Sequence, residues 1–330
     1  MRVAQLGAGR IGAMHAEILA GMVEPGALIV ADLDVSRAQA VADAVGAQAA
    51  EIGEAIQQAE ALVIAASSTA HPELIRAGLE RGIPIFCEKP LATTLEETRQ
   101  LVAEIEAAGI PFQLGFQRRF DAAYSAARRL VEDGSLGTLY VVRLAGHDPA
   151  PPHEAYIPLS GGIFNDFSVH DFDVARWLTG QEFEEVYADG GVLGFPVFAK
   201  YDDVDTAVAT MRLSGGTRAI LSTTRHDPLG YDIRTELFGS GDSVAVGLGP
   251  RTPMRSLEPG VPPPAGPAWS MFIDRFRDAY ENEMRAFLRV ARREEESACT
   301  ARDGLEAVRV AVAATRSLRE HRPVRISEVT

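Results

Sequence analysis

Over the first 120 residues, short apolar runs alternate with longer stretches whose apolar positions recur at helical spacing. The runs at 3–6, 28–31, 62–65, 83–86 and 112–114 predict strands, and 11–22, 35–45, 71–80 and 95–107 predict helices. Regular alternation of the two predicts a parallel sheet with helical crossovers, and such short, largely apolar strands suit a sheet covered on both faces. Residues 1–120 are therefore expected to form a doubly wound α/β domain.

Beyond residue 121 the pattern changes. A helix is predicted at 122–132, a strand at 138–144, a Pro-rich loop to 158 and a helix at 169–178. Longer strands with turn signals follow at 185–193, 205–213, 218–224 and 233–238, joined closely enough to form a largely antiparallel meander. Seven prolines between 250 and 267 leave room for neither helix nor central strand, which predicts an extended surface loop. Helices at 271–292 and 302–320 and a short strand at 324–326 complete an α+β domain over 121–330.

Charge narrows the range of partners. The 330 residues carry 32 Lys+Arg against 46 Asp+Glu, a formal charge of −14, and no basic run exceeds a pair such as Arg118-Arg119. Such a chain repels a phosphate backbone, so nucleic acid is not expected as a partner. No segment approaches the roughly 20 apolar residues of a membrane helix, so no membrane partner is expected either. The opening MRVAQLGAGRIG lacks the zones of a signal peptide, and two cysteines, Cys87 and Cys299, are too few for a disulfide framework. A cytoplasmic location is expected.

The first strand runs directly into Gly7-Ala8-Gly9-Arg10-Ile11-Gly12, which opens a helix. In that context Gly7 permits the tight turn, Gly9 lets backbone approach a pyrophosphate, Gly12 allows close helix packing, and the helix N-terminus attracts phosphate. Asp32 ends the second strand 20 residues after Gly12, where an acid binds ribose hydroxyls and repels a 2′-phosphate. The expected cofactor is NAD rather than NADP, although Arg37, one helical turn on, could reach a 2′-phosphate. At another strand end, Ser67, Ser68 and Thr69 offer hydroxyls either to a cofactor or to the cap of the following helix.

Glu88-Lys89-Pro90 follows the 83–86 strand. Only two of the 32 basic residues are lysines, Lys89 and Lys200. A lysine kept for solvation alone would be an arginine in this chain, whereas lysine alone can lower its pKa and donate to an alkoxide or carbonyl oxygen. Lys89 is the first catalytic candidate, against the alternative of a surface pair with Glu88; Lys200 reads as a solvated charge. Within Ser160-Gly161-Gly162-Ile163-Phe164-Asn165-Asp166-Phe167-Ser168-Val169-His170, a helix starting near the glycines would put Asp166 and His170 at i and i+4 on one face. The carboxylate could then orient an imidazole that takes a hydroxyl proton, the alternative being a capping or core histidine. No metal is expected, since His147, Asp148 and His153 fit no zinc spacing.

These motifs resemble the Gfo/Idh/MocA oxidoreductases, most closely the inositol 2-dehydrogenase branch. The resemblance rests on the glycine motif with His15, on Glu88-Lys89-Pro90, on Arg118-Arg119-Phe120-Asp121 and on Gly161-Gly162 with Asp166 and His170-Asp171-Phe172-Asp173. It extends through Gly230-Tyr231-Asp232 and Phe238-Gly239 to Ala279-Tyr280, Glu283, Phe287 and Asp303-Gly304-Leu305, in order over the whole chain. It implies a Rossmann domain followed by a large, predominantly antiparallel, open-faced sheet that commonly builds dimers and tetramers, so a homo-oligomer is expected. It implies that Lys89 positions the substrate hydroxyl and that His170 is the general base supported by Asp166. Cofactor contacts are implied for Gly7, Arg10, Ile11, Asp32, Arg37, the 67–69 turn, His71, Glu88 and Gln117, and substrate-pocket positions for His153, Asn165, Tyr231 and Tyr280. The activity implied is NAD-dependent oxidation of a secondary hydroxyl of a cyclitol or sugar, with myo-inositol favoured. Alternatives are another sugar or keto-sugar substrate, or a non-catalytic dinucleotide-binding regulator, which would have no chemical reason to keep Lys89, Asp166 and His170 together.

Overall fold

The computed structural model describes Met1–Val329 and forms two compact units, one of Met1–Phe120 with Asp278–Leu305, the other of Asp121–Arg277 with the chain from Glu306 onward. The first unit contains β1 (Val3–Leu6), α1 (Arg10–Ala20), β2 (Leu28–Ala31), α2 (Val35–Val45), β3 (Gln48–Ala49), α3 (Ile52–Gln58), β4 (Ala61–Ile64), α4 (His71–Arg81), β5 (Ile85–Glu88), α5 (Leu95–Ala108) and β6 (Phe112–Gly115). All six strands are parallel, in the order β3-β2-β1-β4-β5-β6. Every residue of β1, β2, β4, β5 and β6 is buried, as expected of strands sandwiched between helices. The order reverses between β1 and β4, and the crevice at their carboxyl ends is where open α/β sheets take ligands.

Two elements here were not anticipated. β3 has two residues and α3 seven, too few to establish a period. β5 also runs two residues beyond the 83–86 estimate, so Glu88 is its last residue and pairs with Gly115 of β6. Residues 278–305 cover the β6 edge: Leu114 N donates to Cys299 O at 2.9 Å, and Gln113 Nε2 donates to Glu283 O at 3.0 Å.

The second unit begins with α6 (Ala122–Glu132), whose first N–H groups are capped by Asp121 through Ala123 N and Tyr124 N. It continues with β7 (Leu139–His147), α7 (Ile157–Ser160), α8 (Val169–Thr179), β8 (Phe183–Gly191), β9 (Thr206–Leu213), β10 (Arg218–Thr224), β11 (Asp232–Gly239) and β12 (Ser243–Val246). The long helices α9 (Phe272–Ala291) and α10 (Ala301–Glu320) and the short strand β13 (Val324–Arg325) end the chain, the residues from Asp278 to Leu305 belonging to the first unit. α9 is kinked at Phe276, whose φ of −117° and ψ of 19° are not helical.

The seven strands lie in the order β12-β11-β7-β10-β9-β8-β13. β7 and β10 are parallel and the other neighbours antiparallel, so the sheet is mixed rather than a pure meander. Burial alternates along β9 and β10: Ala207, Ala209, Met211, Ala219 and Leu221 point to the core, while Val208 and Ile220 are exposed. That is the pattern of a sheet packed on one face and open on the other. The segment 250–267 is irregular, as its prolines require, and no helix among the described residues is long and apolar enough to cross a membrane.

Candidate active site

In the first unit, Gly7 leaves β1 with φ +99°, and a Cβ there would lie 2.5 Å from the Ala65 carbonyl oxygen. A Cβ on Gly12 would overlap the Gly7 carbonyl, so α1 approaches the β1 turn only with glycine at that place. Gly9 differs, since nothing lies within 4 Å of a Cβ built on it and the space before the helix is open. Gly9 is also the N-cap of α1, and no side chain caps that helix. With no side chain over it, the start of α1 presents the positive end of the helix dipole, which favours an anion. An uncapped helix start, an open glycine and an acid on the neighbouring strand make a donor set that fits a dinucleotide.

That acid is Asp32. Its Oδ2 accepts from Ala8 N at 2.6 Å and its Oδ1 from Asp34 N at 2.8 Å, which fixes the carboxylate beside the glycine turn. Arg37 is half exposed and drawn to acids, with Nη2 3.2 Å from Asp34 Oδ2 and Nη1 3.9 Å from Asp32 Oδ1. At the β4 end, Ala70 caps α4 without a side-chain hydrogen bond, and Ser67 Oγ lies 3.2 Å from Thr69 Oγ1. Ser67 and Thr69 are exposed and Ser68 half-buried, so the hydroxyls of this turn are not used as a helix cap.

His71 links this turn to the next. Its Nδ1 lies 2.7 Å from Pro90 O and its Nε2 3.2 Å from Ala66 O. Burial holds the ring below its ordinary pKa, and a neutral imidazole has one N–H, which the shorter contact assigns to Nδ1. One buried ring thus ties the β4 end to Glu88-Lys89-Pro90, whose Lys89-Pro90 bond is cis. Lys89 is half-buried, whereas Glu88 turns inward and its Oε1 lies 2.7 Å from His15 Nε2 of α1. Gly115 leaves it room, since a Cβ there would stand 3.0 Å from Glu88 Oε2. Glu283 of α9, fully buried, completes a trio of ligand-type atoms within 4.8 Å of one another. The Tyr280 ring packs edge-on to His15 at 5.7 Å, and Gln117 is buried in the turn after β6.

In the second unit, Asp166 lies in a π turn, Phe164–Ser168, that leads into α8, where His170 sits half-buried. The expected regular α-helix is thus replaced at Asp166 by a wider turn, a feature common at functional sites. Both oxygens of Asp166 are held: Tyr156 OH donates to Oδ1 at 2.8 Å and Arg225 Nη1 to Oδ2 at 2.8 Å. Asn165 Nδ2 donates back to Gly161 O at 3.0 Å. Tyr231 is buried between Phe167 and Phe276, and His153 is exposed, its Nδ1 accepting from Ala155 N. A second trio, His147, Asp227 and Asp232, brings possible metal ligands together, but Asp232 is already paired bidentately with Arg234.

Sequence spacing missed Tyr156 and Arg225, which meet Asp166 from 10 and 59 residues away, and the pairing of His15 with Glu88 from 73. A hydroxyl or a cation elsewhere in the chain gives no local pattern that announces such contacts.

The model of an oxidoreductase family with an NAD-binding Rossmann fold matches residues 1–116, and a GFO/IDH/MocA C-terminal domain matches 124–245. A myo-inositol dehydrogenase of Streptomyces leeuwenhoekii is 40% identical over 96% of this chain and 97% of its own length. A myo-inositol 2-dehydrogenase of Thermotoga maritima is 35% identical over 100% and 99%. The crystal structure of scyllo-inositol dehydrogenase from Lactobacillus casei with bound NAD(H) and scyllo-inositol superposes with a TM-score of 0.88 at 27% identity, covering 99% of both chains.

Proposed function

Since the chain belongs to the Gfo/Idh/MocA oxidoreductase family, we propose that it is an NAD-dependent dehydrogenase that oxidises a secondary hydroxyl of a cyclitol, myo-inositol foremost, to a ketone. The observation that carries this reading is the end-to-end match to a myo-inositol dehydrogenase at 40% identity. Bound NAD supplies the acceptor for the hydride that leaves the carbinol carbon. His170 takes the hydroxyl proton at one ring nitrogen, and Asp166 supports the imidazolium that results. Lys89 holds the reacting oxygen and offsets the negative charge that grows on it as the proton leaves. Orientation of the hydroxyl by these groups supplies much of the acceleration, because the cofactor carries the hydride chemistry.

The preference for NAD over NADP rests on Asp32, whose fixed carboxylate would repel a 2′-phosphate. Contacts to the cofactor are assigned to Gly7, Gly9, Arg10, Ile11, Gly12, the 67–69 turn, His71, Glu88, Lys89 and Gln117, and pocket positions to His153, Asn165, Tyr231 and Tyr280. A homo-oligomer is supported by the open sheet face, on which Tyr187, Thr210 and Ile220 form a cross-strand row with Tyr187 and Ile220 exposed. A cytoplasmic site of action suits the two buried thiols, Cys87 and Cys299.

The test is NADH formation by the purified protein with NAD and a panel of inositols and aldoses. Turnover greatest with an inositol is expected. Absence of turnover with every polyol, despite measurable NADH binding, would instead favour a dinucleotide-binding regulator.

A further inference from the structure

Arg225, just beyond β10, is 2% exposed. Its backbone N–H donates to Asp205 O at 2.8 Å, and its guanidinium carbon lies 5.9 Å from the centroid of the Phe167 ring. A guanidinium keeps its charge even when buried, so it must be matched by carboxylates. Three face it: Asp166, Asp148 and Asp203. Nη1 is 2.8 Å from Asp166 Oδ2 and 3.5 Å from Asp148 Oδ2. Burial favours losing the charge, and the acids, Asp166 first, more than restore it. With Tyr156 OH on Oδ1, the Asp166 carboxylate is gripped at both ends and cannot rotate freely.

We propose that Arg225 is a positioning residue for the oxidation, its guanidinium fixing the orientation and the negative charge of Asp166 so that this acid can support His170. The proposal rests on the dehydrogenase reading above. A buried cation 2.8 Å from a largely buried carboxylate favours its ionised form, and a planar, permanently charged group sets its direction as well. An ion pair that served only to stabilise the second unit would leave the titration of the reaction unchanged.

The experiment compares wild type with Arg225→Met and Arg225→Lys in the holoenzyme. For Arg225→Met, kcat is expected to fall on the order of a hundredfold, the acid limb of its pH profile to move up by about one pH unit or more, and NADH affinity to stay unchanged. Arg225→Lys, which keeps charge but not the fork, is expected to recover part of kcat and most of the acid limb. A fall in kcat with an unmoved acid limb in both variants overturns the proposal. Should wild type oxidise no polyol, the dehydrogenase reading fails separately. Carbon-13 titration of Asp166 in the apo protein, assigned with Asp166→Asn, still decides: a higher midpoint in Arg225→Met supports the pairing, and equal midpoints overturn it. If Arg225→Met does not fold, Arg225→Gln takes its place in both measurements.

Discussion

His15 Nε2 and Glu88 Oε1 stand 2.7 Å apart in a site where Glu283 adds a second carboxyl with no exposure to solvent. Two carboxylates cannot both ionise so close together in a dry pocket. Burial, and then the charge of Glu88, push Glu283 well above the ordinary carboxyl range, so the folded protein keeps a proton there. The unfolded group returns to its ordinary value near 4.5. Above that pH the folded chain therefore holds one proton more than the unfolded chain, and stability falls as pH rises toward the folded value.

Glu283→Gln keeps the shape of the neutral acid and removes the titration. Wild type is expected to lose stability relative to this variant as pH rises, by up to about 1.4 kcal/mol per pH unit. Urea unfolding of both proteins from about pH 5 to about pH 8 measures it. A difference that stays level with pH would show that Glu283 carries no extra proton.

Lys89→Ala should lower kcat on the order of a hundredfold or more while leaving NADH affinity within a few-fold. Lys89→Arg should remain slow, because a planar guanidinium cannot take the place of a compact ammonium at one oxygen. Steady-state kinetics beside fluorescence titration of NADH would separate the two effects, and wild-type turnover in Lys89→Ala would remove this residue from the chemistry.

Asp32→Asn retains an acceptor for Ala8 N but discards the charge. The ratio of kcat/KM for NAD to that for NADP is expected to fall about tenfold or more, equivalent to about 1.4 kcal/mol of lost repulsion. An unaltered ratio would mean that something other than Asp32 sets the preference.

Gly12→Ala places a methyl group against the Gly7 carbonyl. A cost of about 1–3 kcal/mol in stability is expected, together with weaker NADH binding as α1 is displaced. Gly9→Ala meets no atom within 4 Å and should melt close to wild type while still weakening cofactor binding. Equal melting temperatures for the two variants would contradict the packing role of Gly12.

Local chemistry made the candidate nucleotide site legible. Gly7, Gly9, Gly12 and Asp32 fall within one β-α-β stretch, and their spacing is itself the signal. The five longer strands of the first sheet were equally clear, because each is a short, mostly apolar run. What could not be read has a common cause in distance along the chain or brevity. β12 is four residues after a tight turn, and β3 is two, so neither sets up an alternation. The parallel pairing of β7 with β10 depends on residues such as Val141 and Arg218, far apart in the chain. The π turn at Asp166 follows from backbone hydrogen bonding that the sequence pattern does not encode, and Arg225 was invisible because one more arginine among 30 carries no mark.

The covering of the β6 edge by residues 278–305 has a consequence in time. A ribosome adds about 5–20 residues per second, so roughly ten to thirty seconds separate the synthesis of Phe120 from that of Glu283. During that interval the nascent nucleotide-binding unit lacks Cys299 O at Leu114 N and the acid that completes the His15–Glu88 pocket. The first third of the chain is translated first and finished late, its β6 edge open until the last sixth or so of the chain emerges.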